Sequence, residues 1–383
     1  MIALLFVAQF AYLQYAIRNW KETDFSAFFF LGNDFTFLYN AAGHFFSGTS
    51  PYLEKNFVPL PSALYLPMLL HPLPFWDAVF AYRLICFVLV VIAILWLCRQ
   101  LGLTFINSAL LLVITVTYGP FYTLLAGGNL DALMLVFLVF ACAKQVWMRG
   151  AFLGLSIGTK FYSLLLLPIL LLRRRWREVC WALAVLILLL LPFSRYLPDA
   201  LTSVSHRTST LRLQGNESPA VLFILLFGEK NVWLWRSCYV LLWGGTLLVR
   251  MAADALAQAS TDDERFRALE YLPWMAAAPV LVFTYTGTIL LAFIALIVRK
   301  NQDHKLNWPD WLIVAGFLIT GIFPFIASQA ANTILRFLGV GLRGVPTILM
   351  LLPPLGISAI LLGSSAGAWF DRPNKNGSIR NIA

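Results

Sequence analysis

Two residues stand out as able to do chemistry in a chain made mostly of Leu, Phe, Val and Trp: Asp34 in GNDFTF and Lys160 in GTKFY. Asp34 follows the aromatic run FSAFFFLG. An acid among so many rings is poorly solvated unless it faces a cavity or a partner. Such a carboxylate accepts a proton from a bound hydroxyl better than a surface carboxylate does. Gly-Asn-Asp ahead of an amphipathic run is also good helix-start chemistry, so the residues alone leave Asp34 as either a general base or a cap. Lys160 is a cation at membrane depth. A buried ammonium is costly without a partner, and a phosphate group is one partner that would suit it.

Other polar residues are weaker candidates. His206, Arg207 and Arg212 are cations suited to a phosphate, and equally to a solvated loop that meets lipid headgroups. Gly127-Gly128-Asn129 reads as a turn into a helix, and Asp131 in its first turn complements the helix dipole, which makes it a structural residue. Glu217, in GNESP, is a second acid in the same compartment. Glu54, Asp77 and Asp199 are loop or interface acids without supporting context. No Walker loop, Rossmann fingerprint, HExxH or GxSxG occurs, so nucleotide-binding and protease readings have no motif behind them. The five cysteines lie in or beside apolar runs with no metal-ligand spacing and read as buried free thiols.

The elements that must hold these residues follow from composition. The chain has 383 residues, 60% hydrophobic and 12% charged, which excludes an ordinary soluble domain and indicates an all-α polytopic membrane protein. A helix needs roughly 20 apolar residues to cross a ~30 Å core. Spans are expected near 2–17, 76–98, 103–119, 129–147, 178–195, 231–249, 268–284, 286–298, 309–327 and 345–363, about 10 transmembrane helices. The segment 2–17 lacks a small-residue cleavage pattern and reads as the first of them. The 13 Trp and 13 Tyr suit interfacial belts. The net charge of +10 is loop charge and not a nucleic-acid signal. With the N-terminus cytoplasmic, most of the 28 Lys and Arg, among them Arg173, Arg174, Arg175 and Arg177, fall on the cytoplasmic side.

The expected organisation is a single integral membrane domain over 1–370, with extracytoplasmic loops near 18–75 and 194–230 and a polar cytoplasmic tail at 371–383. The stretch between Arg149 and Arg173 has basic flanks at both ends, and Gly158-Thr159-Lys160 divides it. Each half would be about 15–18 Å long as helix. It reads as a re-entrant hairpin tipped by Lys160, the other reading being one tilted helix with a snorkelling lysine. The proline-rich stretch VPLPSALYLPMLLHPLP is incompatible with one regular helix.

Taken in order, several stretches resemble the polyprenol-phosphate-mannose-dependent mannosyltransferases of glycosyltransferase family 87, membrane enzymes of the GT-C fold. The family's opening pattern reads here as Asp34, Tyr39-Asn40-Ala41-Ala42, Gly48 and Pro51-Tyr52. Its aromatic-Pro block appears as Tyr65-Leu66-Pro67 to His71-Pro72, and its Gly-Asn helix start as Gly128-Asn129. Its lysine before a Leu-rich run and an Arg cluster appears as LGLSIGTKFYSLLLLPILLLRRRWRE, and its Gly-Asn-x-Ser block as Gly215-Asn216-Glu217-Ser218. The chain departs from the family in AAPVLVFTYTGTILL, where Tyr285 stands at the aromatic position but the usual His or Asp is missing.

The resemblance implies a single inverting displacement on a polyprenyl-phosphate sugar, mannose or arabinose, with a lipid or glycan acceptor, no cofactor and no metal. It implies Asp34 as base, with Lys160, then Arg207, Arg212 and His206, on the donor phosphate. Tyr39, Tyr52, Tyr65, Asn129, Asn216, Glu217 and Tyr285 would line the sugar or acceptor. It places the site on the extracytoplasmic side of a bacterial plasma membrane. An inactive relative, or a transporter of lipid-linked glycans, is the competing reading.

Overall fold

The computed structural model describes residues 32–54, 56–208, 219–228, 230–256, 263–277, 284–322 and 347–370. The expected first span at 2–17 and the tail at 371–383 lie outside them. All regular elements among the described residues are helical. Three are long and apolar enough to cross a membrane: Phe75–Leu101, Trp176–Ser203 and Val232–Ala255.

Prolines and glycines divide the first half. Helix α1 (Asn33–Phe46) is followed by a 3-10 turn at Pro51–Leu53. The proline-rich stretch forms a second 3-10 turn (Pro61–Leu64) and a six-residue helix, α2 (Tyr65–Leu70), because each proline lacks a donor and crowds the preceding turn. Helix α3 (Phe75–Leu101) then runs for about 40 Å. Helices α4 (Phe105–Thr117), α5 (Gly119–Gly127) and α6 (Asp131–Phe140) are shorter than the spans expected at 103–119 and 129–147. Extended Tyr118 and Pro120 break the first, and a turn at Gly128 sets the start of α6.

The middle of the chain reverses at Lys160. Helix α7 (Val146–Thr159) stops where Lys160 turns extended, at φ −146° and ψ 128°. A 3-10 stretch (Phe161–Leu165) and α8 (Leu166–Leu172) follow, then α9 (Trp176–Leu190). Arg149, near the start of α7, and Arg175, just before α9, both bind Glu178, Arg149 at 2.7 Å. The two arms therefore leave and return at one charged base.

Helices α7 and α9 run parallel with their backbones close together. Gly150, Gly154 and Gly158 form a stripe at four-residue spacing on α7. A Cβ on Gly150 would meet the Glu178 carbonyl at 2.5 Å, and one on Gly154 the Ala182 carbonyl at 2.5 Å. A Cβ on Gly158 would meet Leu189 at 3.0 Å. Without lipid-excluding pressure between helices, dispersion at such close approach is what joins them, and only small residues permit it.

The second half continues through 3-10 turns and α10 (Leu197–Thr208), α11 (Ala220–Phe227), α12 (Val232–Leu256), α13 (Arg267–Glu270) and α14 (Leu272–Ala277). A 3-10 stretch at Thr284–Ile289, α15 (Leu290–Asp303), α16 (Trp308–Phe317) and α17 (Thr347–Phe370) complete it. Within the span expected at 268–284, a turn at Tyr271 separates α13 from α14. The outer loop expected at 194–230 is partly helical, as α10 and α11. Asn307 caps α16 reciprocally with Asp310, and Gly316 of α16 faces the carbonyl of Gly356 on α17.

The cysteine reading needs one correction. Cys86, Cys98 and Cys142 are buried, but Cys180 is exposed and Cys238 is half-exposed. Both sit on outward faces of the long helices α9 and α12, where lipid takes the place of core. A Gly154→Val variant puts two methyls into the Ala182 backbone. It should cost about 1–3 kcal/mol by overpacking and lower the unfolding temperature in detergent, whereas Gly244→Val, in open space on α12, should not.

Candidate active site

Asp34 lies in the first turn of α1, which sits on the end of α5. The turn between α5 and α6 is shaped for that contact. Gly128 has a left-handed backbone, φ +71°, and a Cβ there would stand 2.7 Å from Cβ of Phe35. A Cβ on Gly127 would stand 3.3 Å from Asp34 Oδ2. Two consecutive glycines thus let α1 descend until its carboxylate reaches the α5–α6 turn. Phe35 is fully buried and packs on Tyr82 of α3, with centroids 4.8 Å apart. That anchor directs the neighbouring Asp34, which remains half-buried.

A chain of polar contacts runs inward from the carboxylate. Asn129 Nδ2 donates to Asp34 Oδ2 at 2.8 Å. The Asp131 backbone N–H donates to Asn129 Oδ1 at 3.0 Å, which assigns the amide's orientation. The Tyr82 hydroxyl donates to the Asn129 carbonyl at 3.3 Å. Asp131 is fully buried, and its Oδ1 lies 2.8 Å from Lys160 Nζ, itself only 12% exposed. Lys160 also stands 5.5 Å from the Tyr162 ring centroid. Asp34, Asn129, Asp131 and Lys160 therefore form one connected set drawn from α1, the α5–α6 turn, α6 and the tip of the α7–α8 hairpin.

This alters the reading of two residues. Asp131, taken from the sequence as a dipole-complementing structural acid, is the direct partner of the buried lysine. The signal that would have found it is the requirement that a buried ammonium have a counter-charge, which an acid in the first turn of an apolar helix can supply. Asn129, grouped with the sugar-binding candidates, donates to the Asp34 carboxylate. Asp34 itself reaches across to the α5–α6 turn rather than only completing its own first turn.

The remaining candidates are dispersed. The Tyr39 hydroxyl donates to the carbonyls of His71 (3.2 Å) and Leu73 (2.9 Å), and its ring stacks on His71. The Tyr52 hydroxyl donates to Pro59 O at 2.7 Å, and burial, with Asp199 adding, holds it well above the usual tyrosine range. The Tyr65 hydroxyl reaches Leu189 O at 3.1 Å. All three hydroxyls donate to backbone carbonyls of other segments. His206 and Arg207 lie on α10 and Tyr285 in the 3-10 stretch Thr284–Ile289, with side chains outside the description; Arg212, Asn216 and Glu217 lie outside the described residues. Polar contacts that the sequence did not suggest are Ser50 to Asp199 (2.6 Å) and Asn40 to Glu54 (3.2 Å). Among the described residues no group of His, Cys, Asp and Glu is arranged to hold a metal ion.

Long apolar helices around a buried acid–amide–acid–lysine chain define a helical membrane protein with a polar site in its interior. Residues 59–270, more than half of the chain, match glycosyltransferase family 87, and the chain belongs to that family. It is a membrane glycosyltransferase, acting on a sugar donor and an acceptor. Neither a curated protein nor a solved structure matches it. The matched region contains Asn129, Asp131 and Lys160, while Asp34 precedes it and is joined to it by the Asn129 hydrogen bond.

Asp131→Asn leaves the Lys160 ammonium buried beside a neutral amide. It should destabilise the protein by about 3–5 kcal/mol. The double variant Asp131→Asn with Lys160→Met should recover most of that loss in thermal unfolding; a double variant no better than the single would show that the pair is not coupled.

Proposed function

We propose that this glycosyltransferase moves a sugar, mannose or arabinose, from a polyprenyl-phosphate donor to an extracytoplasmic acceptor, with inversion. The observation that supports this most directly is the connected set from Asp34 to Lys160. It sets a half-exposed carboxylate and a nearly buried cation on one short polar path in a chain of this family. Asp34 takes the proton from the acceptor hydroxyl. The hydroxyl oxygen attacks the anomeric carbon, the bond from that carbon to the phosphate oxygen breaks, and polyprenyl phosphate leaves with the bonding pair. The Asn129 amide fixes the carboxylate rotamer, so the base is oriented before substrate arrives.

Lys160 contacts the departing phosphate. An ammonium has three donors, and pairing through one of them with Asp131 is compatible with a phosphate contact. Cations of this kind stabilise charge where it develops. Arg207, Arg212 and His206 are the second rank of phosphate donors. With the N-terminus cytoplasmic, α7 and α8 form a re-entrant hairpin. Lys160 then lies about 16 Å along the helix from Arg149, half of a bilayer above the basic face. The shorter apolar helices such as α4, α6 and α16 complete a bundle of about ten membrane elements.

Two measurements test the reading. Asp34→Asn and Asp34→Ala should lower transfer from radiolabelled polyprenyl-phosphate mannose in membrane extracts by about 100-fold or more, with unchanged expression and size-exclusion profile. Wild-type turnover in either variant would remove Asp34 as base. Chelator should leave the transfer rate unchanged, and a strong loss would overturn a scheme that uses only side-chain charge.

A further inference from the structure

Serines bracket the Lys160 turn from both sides and from outside the hairpin. Ser156 lies on α7 and Ser163 in the 3-10 stretch Phe161–Leu165. Both are fully buried, and their hydroxyls meet at 2.6 Å. The backbone closes on the same two residues. The Lys160 N–H donates to the Ser156 carbonyl at 2.9 Å, and the Ser163 N–H donates to the Lys160 carbonyl at 3.5 Å. Ser62, in the 3-10 turn Pro61–Leu64, reaches the tip from another segment, where its hydroxyl donates to the Gly158 carbonyl at 2.6 Å.

Each contact answers a demand that the turn makes. A helix leaves its last carbonyls without intrahelical donors, and Gly158 is the penultimate residue of α7. Ser62 supplies a donor there. A Cβ on Gly158 would lie 3.2 Å from the Ser62 hydroxyl, so the third glycine of the α7 stripe admits this serine as well as α9. Hydroxyls in a dry interior need partners. Ser156 and Ser163 are partners for one another only while the two arms of the turn keep their spacing. Lys160, the extended residue between them, is thereby held at one backbone position, from which its ammonium reaches Asp131 at 2.8 Å. Thr159 is the contrast. It adjoins Lys160, but its hydroxyl donates to the Leu155 carbonyl within its own helix and ties nothing across the turn.

We propose that Ser62, Ser156 and Ser163 are positioning residues, which hold the Lys160 ammonium where it meets the donor phosphate. This rests on the reading that Lys160 contacts that phosphate. Misplacement of a reacting or stabilising group by about 1 Å can lower a rate roughly 100-fold. A lysine carries its charge on a flexible stem, so the place of its backbone decides what the ammonium can reach.

The test uses the full chain in detergent and two readouts. The first is independent of catalysis: labelling of Lys160 by acetic anhydride, mapped by peptide mass spectrometry. The double variant Ser156→Ala with Ser163→Ala removes both hydroxyls, leaves neither without its partner, and so keeps the fold. It should raise Lys160 labelling at least about fivefold, with Lys300, which pairs with Asp310, unchanged. The second readout is transfer from polyprenyl-phosphate mannose. The double variant should lower kcat about tenfold with the donor KM changed less than about twofold, because the charge that Lys160 meets grows as the phosphate departs. Ser62→Ala should act in the same direction, and Thr159→Ala should leave both readouts at wild type. Unchanged Lys160 labelling overturns the proposal, and so does an equal loss of kcat in Thr159→Ala. Raised labelling with wild-type kcat overturns it as well, and Lys160→Met run alongside shows why. If Lys160→Met loses transfer, the positioning role has failed; if it transfers at the wild-type rate, the phosphate contact itself has failed.

Discussion

The buried contact between Lys160 and Asp131 is the constraint from which the rest of this interior follows. In a low-dielectric surrounding neither charge is tolerable alone, and each is held where the other can reach it. Lys160 stands where α7 gives way to the 3-10 turn, and Asp131 stands at the first residue of α6. Their 2.8 Å contact thus ties the tip of the hairpin to the start of a different helix. Asn129, two residues before Asp131, extends the tie to α1 through its amide. A half-buried carboxylate is thereby oriented by a charge pair deeper in the interior.

The chain reversal at Lys160 also shows how the short helix α7 is held in place. Helix α7 gains its support from α9, its parallel neighbour, through a seam in which three glycines bring backbones into contact. Its foot is fixed by Arg149 and Arg175 converging on Glu178. Lys160, at the end of such an element, is placed by rigid neighbours on both sides rather than by a loop. The same chain reversal gathers the arginines that follow α8, so one local geometry sets a cation at the tip and a cluster of them at the base.

The three tyrosines named as possible sugar contacts also hold segments of the fold together. Each hydroxyl is committed to a backbone carbonyl of a proline-rich or helix-end segment. Carbonyls that proline leaves without a helical partner need donors, and aromatic hydroxyls close by supply them. Their sequence neighbourhood is the same whether they bind a ligand or a loop.

Membrane character, the two charged residues Asp34 and Lys160 that lie on one polar path, the break at Gly158-Thr159-Lys160 and the family were all legible in the sequence. These rest on local properties: hydropathy summed over a helix length, the cost of a charge in an apolar run, and turn residues at fixed offsets. The tertiary structure alone decided that Asp131 is the lysine's partner, that Asn129 serves the carboxylate, and that α7 lies parallel to α9. It also decided that Cys180 and Cys238 lie away from the core and that several expected spans are short. Those are pairings between residues tens of positions apart, and apolar periodicity says that a face is buried without saying against what.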